Sequence, residues 1–128
     1  MKRVALILTM VFCFSATAHA GDPVAGEKVF KKCKACHVVG KEKNKTGPHL
    51  VGLLGRTAGS VDSYKKYSKA MKASGIVWSA KTLDGYLANP KKYLKGTKMA
   101  FAGLRKEKDR ASVILYLNQN SDNPLPLP

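Results

Sequence analysis

The chain contains 128 residues, and its 23 lysines and arginines against eight acidic residues give a formal net charge of +15. A chain of this length forms a single domain, which excludes a two-domain enzyme with an interdomain cleft. With 45% apolar residues it is also too hydrophobic for a basic disordered tail. The excess positive charge therefore indicates a folded domain with a negatively charged partner, which is nucleic acid, anionic lipid or an acidic protein surface.

The first twenty residues have the pattern of a secretory signal peptide. A basic start, Lys2-Arg3, precedes an apolar stretch at 4–14 and small residues that end at Ala20. The apolar stretch is shorter than the roughly 20 residues of a spanning helix, which disfavours the alternative of an uncleaved membrane anchor. Cleavage after Ala20 leaves 108 residues with a net charge of +13 and two of the three cysteines. We therefore predict an exported, periplasmic protein.

The mature chain is predicted to be an all-α domain with a helix at each end. Asp22 is a good capping residue and Pro23 a good first-turn residue, and apolar residues then recur at helical spacing as far as Cys33. No alternating strand pattern persists. The remaining predicted elements are short helices at 67–74 and 82–87, loops at 38–60 and 91–104, and a C-terminal helix at 107–119.

We expect the domain to span residues 21–119 and to be followed by a flexible, proline-rich tail at 120–128. The mature chain, rich in lysine and glycine, is poor in core material for its length. A large apolar ligand at the centre would supply the missing core.

A C-x-x-C-H pattern at Cys33, Cys36 and His37 is typical of c-type haem attachment. Residues three apart lie on one face of a helix, so both thiols can reach the two vinyl groups at one porphyrin edge, and His37 can reach the iron. The alternatives are a thioredoxin-like redox pair, half of a zinc site and a disulfide. The chain lacks a βαβ context and further cysteine ligands, and export favours haem attachment.

Two methionines remain in the mature chain, Met71 and Met99. Met71 lies in a predicted helical segment and is interpreted as core. Met99 lies in a glycine-flanked loop, where a buried thioether needs another reason. A His/Met pair is the ligation of cytochromes c, and a thioether favours ferrous iron.

From Gly21 to about Leu117 the sequence resembles soluble class I cytochromes c of the mitochondrial and related bacterial kind. The motifs that carry the resemblance, besides the attachment pattern, are Thr46-Gly-Pro-His-Leu50, Gly52-Leu-Leu-Gly-Arg56, Gly75-Ile-Val-Trp78, Asn89-Pro-Lys-Lys-Tyr93 and Gly96-Thr-Lys-Met-Ala-Phe-Ala-Gly103. The resemblance implies the cytochrome c fold, with about three to five helices and long loops around one covalent haem. It also implies contact between the terminal helices through Gly26, Phe30 and Tyr116.

The resemblance assigns roles to residues around the haem. The Pro48 carbonyl is expected to accept a hydrogen bond from the free ring N–H of His37. Arg56, Tyr67 and Trp78 are expected to face the haem propionates, although the spacing leaves Tyr64 as an alternative to Tyr67.

The resemblance also gives expected positions for three residues in and before the Met99 loop. Tyr86 is expected near the Met99 sulfur, Thr97 near the propionates and Phe101 over one haem face. His49 follows Pro48 in a loop, and we expect it to be exposed to solvent and not to bind iron.

Seven lysines flank the two ligand motifs and are predicted to form a docking surface around the haem edge: Lys31, Lys32, Lys34, Lys91, Lys92, Lys95 and Lys98. Positive charge on both sides of a redox centre attracts acidic redox partners over long range. The resemblance implies a cytochrome bc complex as electron donor and a terminal oxidase or photosynthetic reaction centre as acceptor. We expect a monomer with no nucleic-acid partner and at most weak association with a membrane surface.

The function indicated is that of a one-haem electron carrier, which is not an enzyme and which cycles between ferrous and ferric iron. A haem enzyme such as a small peroxidase is the alternative, and it would need an open iron position with an acid–base group above it. Binding of nucleic acid or lipid through charge alone is a third interpretation, and no motif in the chain requires it.

Overall fold

The computed structural model describes residues 21–127. Five α-helices lie within this range: α1 Pro23–Phe30, α2 Lys69–Ala73, α3 Ala80–Ala88, α4 Pro90–Tyr93 and α5 Glu107–Gln119. The β-type pairing in the described range is an isolated bridge between Thr57 and Val77. The all-α prediction is therefore confirmed, whereas the predicted signal peptide at 1–20 lies outside the described residues.

Helices α1 and α5 pack against each other, as expected. The Asp22 carboxylate caps α1 by accepting a hydrogen bond from Val24 N at 2.9 Å, and Asp22 N donates to Ser112 Oγ on α5 at 3.1 Å. A Cβ at Gly26 would overlap the Ser112 carbonyl, so the two backbones approach more closely than a larger residue would allow. The rings of Phe30 and Tyr116 extend this contact, with centroids 5.5 Å apart.

Helices α3 and α4 are consecutive and separated at Asn89. Helix α3 starts in a capping box formed by Ser79 and Thr82, and Pro90 prevents its continuation. The Asn89 side chain accepts a hydrogen bond from Lys92 N at 3.0 Å and so starts α4. The prediction that 91–104 is all loop is wrong at its beginning, because a capping Asn followed by Pro is itself a helix start.

Between α1 and α3 the chain is mainly loop, as predicted for 38–60. Turns continue from α1 through residues 31–36, and the next helix is α2. Helix α2 is shorter than the 67–74 that the sequence predicts, because the Ser68 side chain caps it by accepting from Met71 N at 3.0 Å. Within 21–127 we find no helix long and apolar enough to cross a membrane.

An ion pair joins α3 to α5. Arg110 Nε donates to Asp84 Oδ1 at 2.7 Å, and Arg110 Nη1 donates to the Leu104 carbonyl at 2.9 Å. Leu83 of α3 and Val113 and Leu117 of α5 are buried in the same core cluster. The core thus lies where α3 and α5 meet, beneath the long loops.

The proline-rich tail is held to the domain through Leu125 and Leu127. The buried Asn118 side chain donates to the Leu125 carbonyl at 2.8 Å and accepts from Leu125 N at 3.0 Å. Leu127 packs against the core cluster. These contacts restrain a segment that composition alone predicts to be flexible.

Candidate haem site

A cavity of about 270 Å³ occupies the centre of the described domain. Its walls come from the long loops and from α3 and α5. The apolar residues that line it include Leu50, Leu53, Trp78, Leu83, Leu87, Val113 and Leu117. The space that a larger hydrophobic core would fill is therefore a cavity with apolar walls. Such walls are the environment that a large, flat, apolar cofactor requires.

The residues of the attachment pattern all line this cavity. Backbone bonds from Cys36 N and from His37 N to the Cys33 carbonyl, both 3.0 Å, form the turn that presents the three side chains together. Cys33 and Cys36 are free thiols and do not form a disulfide in the structure. Burial raises the pKa of the Cys33 thiol, while Lys32 opposes the shift. Among residues 21–127 no group of three or more His, Cys, Asp or Glu side chains comes together in a metal-binding arrangement.

His37 is held by its backbone neighbours. Its Nδ1 lies 2.7 Å from the Pro48 carbonyl, which can only accept, so the proton lies on Nδ1 and Nε2 keeps a free lone pair. Burial lowers the pKa of His37; the hydrogen bond to Pro48 opposes this shift and the neighbouring Arg56 adds to it, so the net effect favours the neutral, metal-binding form. A Cβ at Gly47 would overlap the His37 ring, so this position requires glycine for close packing.

Met99 also lines the cavity, on the segment between α4 and α5. Thr97 Oγ1 accepts a hydrogen bond from Met99 N at 3.3 Å and pairs with the Tyr86 hydroxyl at 2.8 Å. Tyr86 and Phe101 line the same cavity, and their expected places near the Met99 sulfur and over a haem face stay predictions. Thr97, expected on the propionate side, is in contact with Tyr86 and Met99.

Met71 is a cavity-lining residue that the sequence analysis assigned to plain core. It lies on α2, and the neighbouring Ala70 is close to Gly96, where a Cβ would lie 3.2 Å from the Ala70 methyl. The site therefore contains two thioethers. Helical spacing alone did not indicate this, because α2 reaches the cavity only through the folding of the loop before it.

Arg56 is half-buried at the cavity and has no carboxylate partner. Its guanidinium donates to the carbonyls of Val51 at 2.9 Å and His49 at 3.0 Å. Among the described residues the ion pair within 4.0 Å is Arg110 with Asp84, so no protein carboxylate neutralises Arg56. A half-buried guanidinium without a carboxylate attracts a negatively charged group, and haem propionates would supply one.

Tyr64 and Tyr67 both line the cavity, with ring centroids 4.8 Å apart. The Tyr64 hydroxyl donates to the Thr46 carbonyl, so it is already engaged with the loop. Burial raises the pKa of Tyr67, and Arg56 opposes this shift, which places the two side chains near each other. Trp78 is joined to Arg56 by a backbone bond of 3.0 Å. The Tyr64 hydroxyl is thus already engaged, and the assignment of Tyr67 to the propionates stays a prediction.

The expectation that His49 is exposed is wrong. The residue is only 7% exposed, and its Nδ1 is buried without a hydrogen-bond partner. Burial lowers the pKa of His49, and Arg56 lowers it further. Asn44 and Arg56 hydrogen-bond its backbone and draw the loop inward, an arrangement that no local sequence pattern reveals.

All seven lysines of the predicted docking surface are exposed. Lys32 from the first cluster and Lys98 from the second both line the cavity. Lys66 also lines the cavity. The sequence did not indicate a role for Lys66, because this residue lies outside both ligand motifs.

Comparison with known proteins gives one consistent result. The family model described as cytochrome c matches residues 23–121. "Cytochrome c" from Theileria annulata is 55% identical over 103 residues, which cover 79% of this chain and 88% of that protein. "Cytochrome c-554" from Methylosinus trichosporium is 46% identical over 125 residues, covering 93% and 94%. The solved structure of cytochrome cH from Methylobacterium extorquens has a TM-score of 0.73 and 46% identity, covering 77% of this chain and 99% of that one.

Proposed function

The chain belongs to the cytochrome c family, whose members carry covalent haem c and transfer electrons without acting as enzymes, and from this premise we propose that it shuttles single electrons between membrane-bound redox complexes with His37 and Met99 as axial iron ligands. The observation that carries the ligand assignment is the shared cavity. His37, oriented by the Pro48 carbonyl, and Met99, on a segment attached to Thr97, both line it together with the two attachment cysteines.

The residues fit the cofactor in three respects. Cys33 and Cys36 both line the cavity, as thioether formation with a haem in it requires, and Gly47 leaves room for the His37 ring. The unneutralised Arg56 and the neighbouring Tyr67 can bind the propionates. When bound, the haem supplies a one-electron Fe²⁺/Fe³⁺ couple. The protein orients His37, excludes water with apolar walls, and presents a thioether that favours the reduced state.

The first experiment is a pair of absorption spectra, oxidised and reduced, of protein matured in a host that attaches haem c. We expect haem that stays bound after denaturation, sharp low-spin bands on reduction, and a weak far-red sulfur-to-iron band in the oxidised state. Haem that can be extracted by denaturation would contradict attachment at Cys33 and Cys36. A high-spin resting spectrum without the far-red band would contradict Met99 ligation and favour an open, peroxidase-like site.

The exposed lysines support docking to acidic redox proteins, with a cytochrome bc complex as donor and a terminal oxidase or photosynthetic reaction centre as acceptor. Charged groups around the mouth of the site accelerate association and make it sensitive to salt. We expect the charge reversal Lys98→Glu to slow electron exchange with an acidic partner at low ionic strength. The matched control Lys108→Glu, an equal charge change at an exposed α5 position outside the clusters, should have a smaller effect, and equal effects would contradict a localised docking surface.

The relative from Methylosinus trichosporium supports an exported protein. Its match covers 93% of this chain and therefore extends into residues 1–20. Together with the basic, apolar and small-residue order of that segment, this favours a signal peptide and a periplasmic location. N-terminal sequencing of the mature protein tests the proposal, and a first residue of Gly21 is expected.

A further inference from the structure

The C-terminal segment, residues 121–127, is attached to the domain at a buried amide. Asn118, in the last turn of α5, is 5% exposed. Its side chain donates to the Leu125 carbonyl at 2.8 Å and accepts from Leu125 N at 3.0 Å, so one amide holds both polar backbone atoms of one residue. Such a pair of bonds fixes the path of an otherwise irregular chain. The match to the family model ends at residue 121, so Leu125 lies beyond the residues that it covers.

The C-terminal segment also packs against the turn at 53–56, which is closed by a bond of 3.1 Å from Arg56 N to the Leu53 carbonyl. A Cβ at Gly55 would lie 3.3 Å from Cδ1 of Leu125, so the leucine side chain lies beside the backbone of this turn. Leu127 packs against the core cluster, which includes Leu53. The segment therefore connects the end of α5 to the turn that carries Arg56.

Backbone hydrogen bonds join this turn to the cavity wall. Gly55 N donates to the Trp78 carbonyl at 2.7 Å, and Trp78 N donates to the Arg56 carbonyl at 3.0 Å. Trp78 and Arg56 both line the cavity, and Arg56 has no carboxylate partner among the described residues. Because Arg56 directly follows Gly55 in the chain, a displacement of Gly55 would move the charge of Arg56 relative to the cavity.

We propose that the C-terminal segment is a strap that positions Arg56, with Asn118 and Leu125 as the positioning residues. The proposal rests on the function proposed above, in which Arg56 binds the haem propionates. An arginine held beside the propionates offsets their negative charge, and this disfavours the ferric state because that state carries one more positive charge. The strap therefore raises the reduction potential of the carrier.

The first test is hydrogen exchange of the Gly55 and Trp78 amides, measured by NMR on the reduced, haem-loaded protein. Three variants release the strap: a chain that ends at Ser121, Asn118→Leu, which removes both bonds to the segment at nearly the same side-chain size, and Leu125→Ala. Each should accelerate exchange at both amides by about tenfold, because the bonds that join the turn to Trp78 open more often.

Two controls accompany this experiment. Asn123→Ala changes an exposed side chain of the same segment and should exchange like the wild type. The Gly26 amide, bonded to the Asp22 carbonyl at 2.8 Å where α1 meets α5, reports on the rest of the domain. Release of the strap should accelerate exchange at Gly55 more than at Gly26, and equal acceleration at both would contradict a local strap.

The second test measures whether the strap acts through Arg56. Ending the chain at Ser121 should lower the reduction potential, in the same direction as Arg56→Gln and by a smaller amount. In the Arg56→Gln background the same truncation should leave the potential unchanged, because no charge remains at this position for the strap to hold. Equal shifts in the two backgrounds would overturn the proposal.

Failure of the strap and failure of the carrier function give different results. If the wild type shows low-spin haem and the far-red band, but truncation changes neither the exchange at Gly55 nor the potential, the strap is refuted and the carrier function stands. A wild type that lacks this spectrum would refute the ligand assignment, and the proposed effect of the strap on the potential with it.

Discussion

The two segments that bring the proposed iron ligands to the cavity are held in different ways. On the His37 side, backbone bonds cross the loop at short distances: Gly47 N to the Cys36 carbonyl at 2.9 Å and Leu50 N to the Val38 carbonyl at 2.8 Å. The 2.7 Å contact from His37 to Pro48 adds to them. On the Met99 side, the ligand's own N–H reaches only a side chain, Thr97, at 3.3 Å.

This difference indicates that the two sides have different rigidity. The histidine side is held by main-chain hydrogen bonds and by the packing of Gly47 against the His37 ring. These contacts do not depend on the conformations of neighbouring side chains. On the methionine side, Thr97 N bonds the Leu94 carbonyl at 3.1 Å and Phe101 N bonds the Met99 carbonyl at 3.0 Å, but these bonds join residues of the same short segment. The acceptor of the Met99 N–H itself is a hydroxyl, and its side chain is a flexible thioether. We therefore expect the Met99 side to open first under stress.

The largest effect is expected from His37→Ala. This change removes the ligand on the more rigid side, and the rest of that loop offers no cavity-lining imidazole, since His49 does not line the cavity. The low-spin spectrum should be lost. His49→Ala serves as the control and should retain it. A normal low-spin spectrum in His37→Ala would refute the ligand assignment.

Met99→Ala should have the next largest effect, on the more loosely held side. The haem should remain attached through Cys33 and Cys36, while the far-red band disappears and cyanide binds faster than in the wild type. Met71→Ala is the matched control because it removes the second cavity thioether. If Met71→Ala loses the band and Met99→Ala keeps it, the two methionines have been assigned in the wrong order.

Gly47→Ala tests the packing on the His37 side. The added methyl overlaps the imidazole ring, and overpacking of this kind costs about 1–3 kcal/mol of unfolding free energy. Denaturant titration of the oxidised protein measures the loss. Unchanged stability would show that the ring is free to move, which would remove the proposed contrast between the two sides.

Thr97→Val tests the Met99 side with a side chain of nearly the same shape. It leaves the Tyr86 hydroxyl and Met99 N without their partner, at a cost of about 1 kcal/mol. The far-red band should fade at a lower denaturant concentration than in the wild type. Thr57→Val, at an exposed threonine, is the control, and an equal shift in both variants would contradict a specific role for Thr97.

The smallest effect is a pH dependence from His49. Because burial lowers the folded-state pKa of His49 below its ordinary value of 6.5, the unfolded chain takes up a proton first as the pH falls. The contribution to stability is therefore present above pH 6.5 and declines below it. His49→Asn, which cannot titrate, should lose less stability than the wild type between neutral and mildly acidic pH. Parallel curves for the two proteins would refute this role.

Several elements could be predicted from local sequence because local rules determine them. The capping residue Asp22 starts α1 through its own side chain, and α5 has the bounds that its pattern predicts. The helix predicted at 82–87 is present but longer, Ala80–Ala88, because Ser79 caps it. The same rules, applied too coarsely at Asn89 and Pro90, missed α4. The attachment pattern at Cys33, Cys36 and His37 could also be identified from the sequence, because its chemistry requires residues that are close together in the chain.

The residues that local rules could not place are those brought in by the long loops. Loops without a periodic pattern fold over the site and bring Met71 and Lys66 into the cavity wall. The same folding buries His49, whose carbonyl accepts a hydrogen bond from Arg56, seven residues further along the chain. The bond from the Tyr64 hydroxyl to the Thr46 carbonyl is another contact between distant residues, and the assignment of Tyr67 to the propionates stays a prediction.

By itself, the sequence determined the class of fold, the attachment chemistry and the concentration of positive charge, because helix caps, a contiguous motif and composition act over a few residues. Only the tertiary structure decided which side chains share the cavity, that Arg56 lacks a protein carboxylate among the described residues, and that Leu125 of the C-terminal segment lies beside Gly55. Those facts depend on contacts between residues far apart in the chain, and such contacts exist only once the loops have packed.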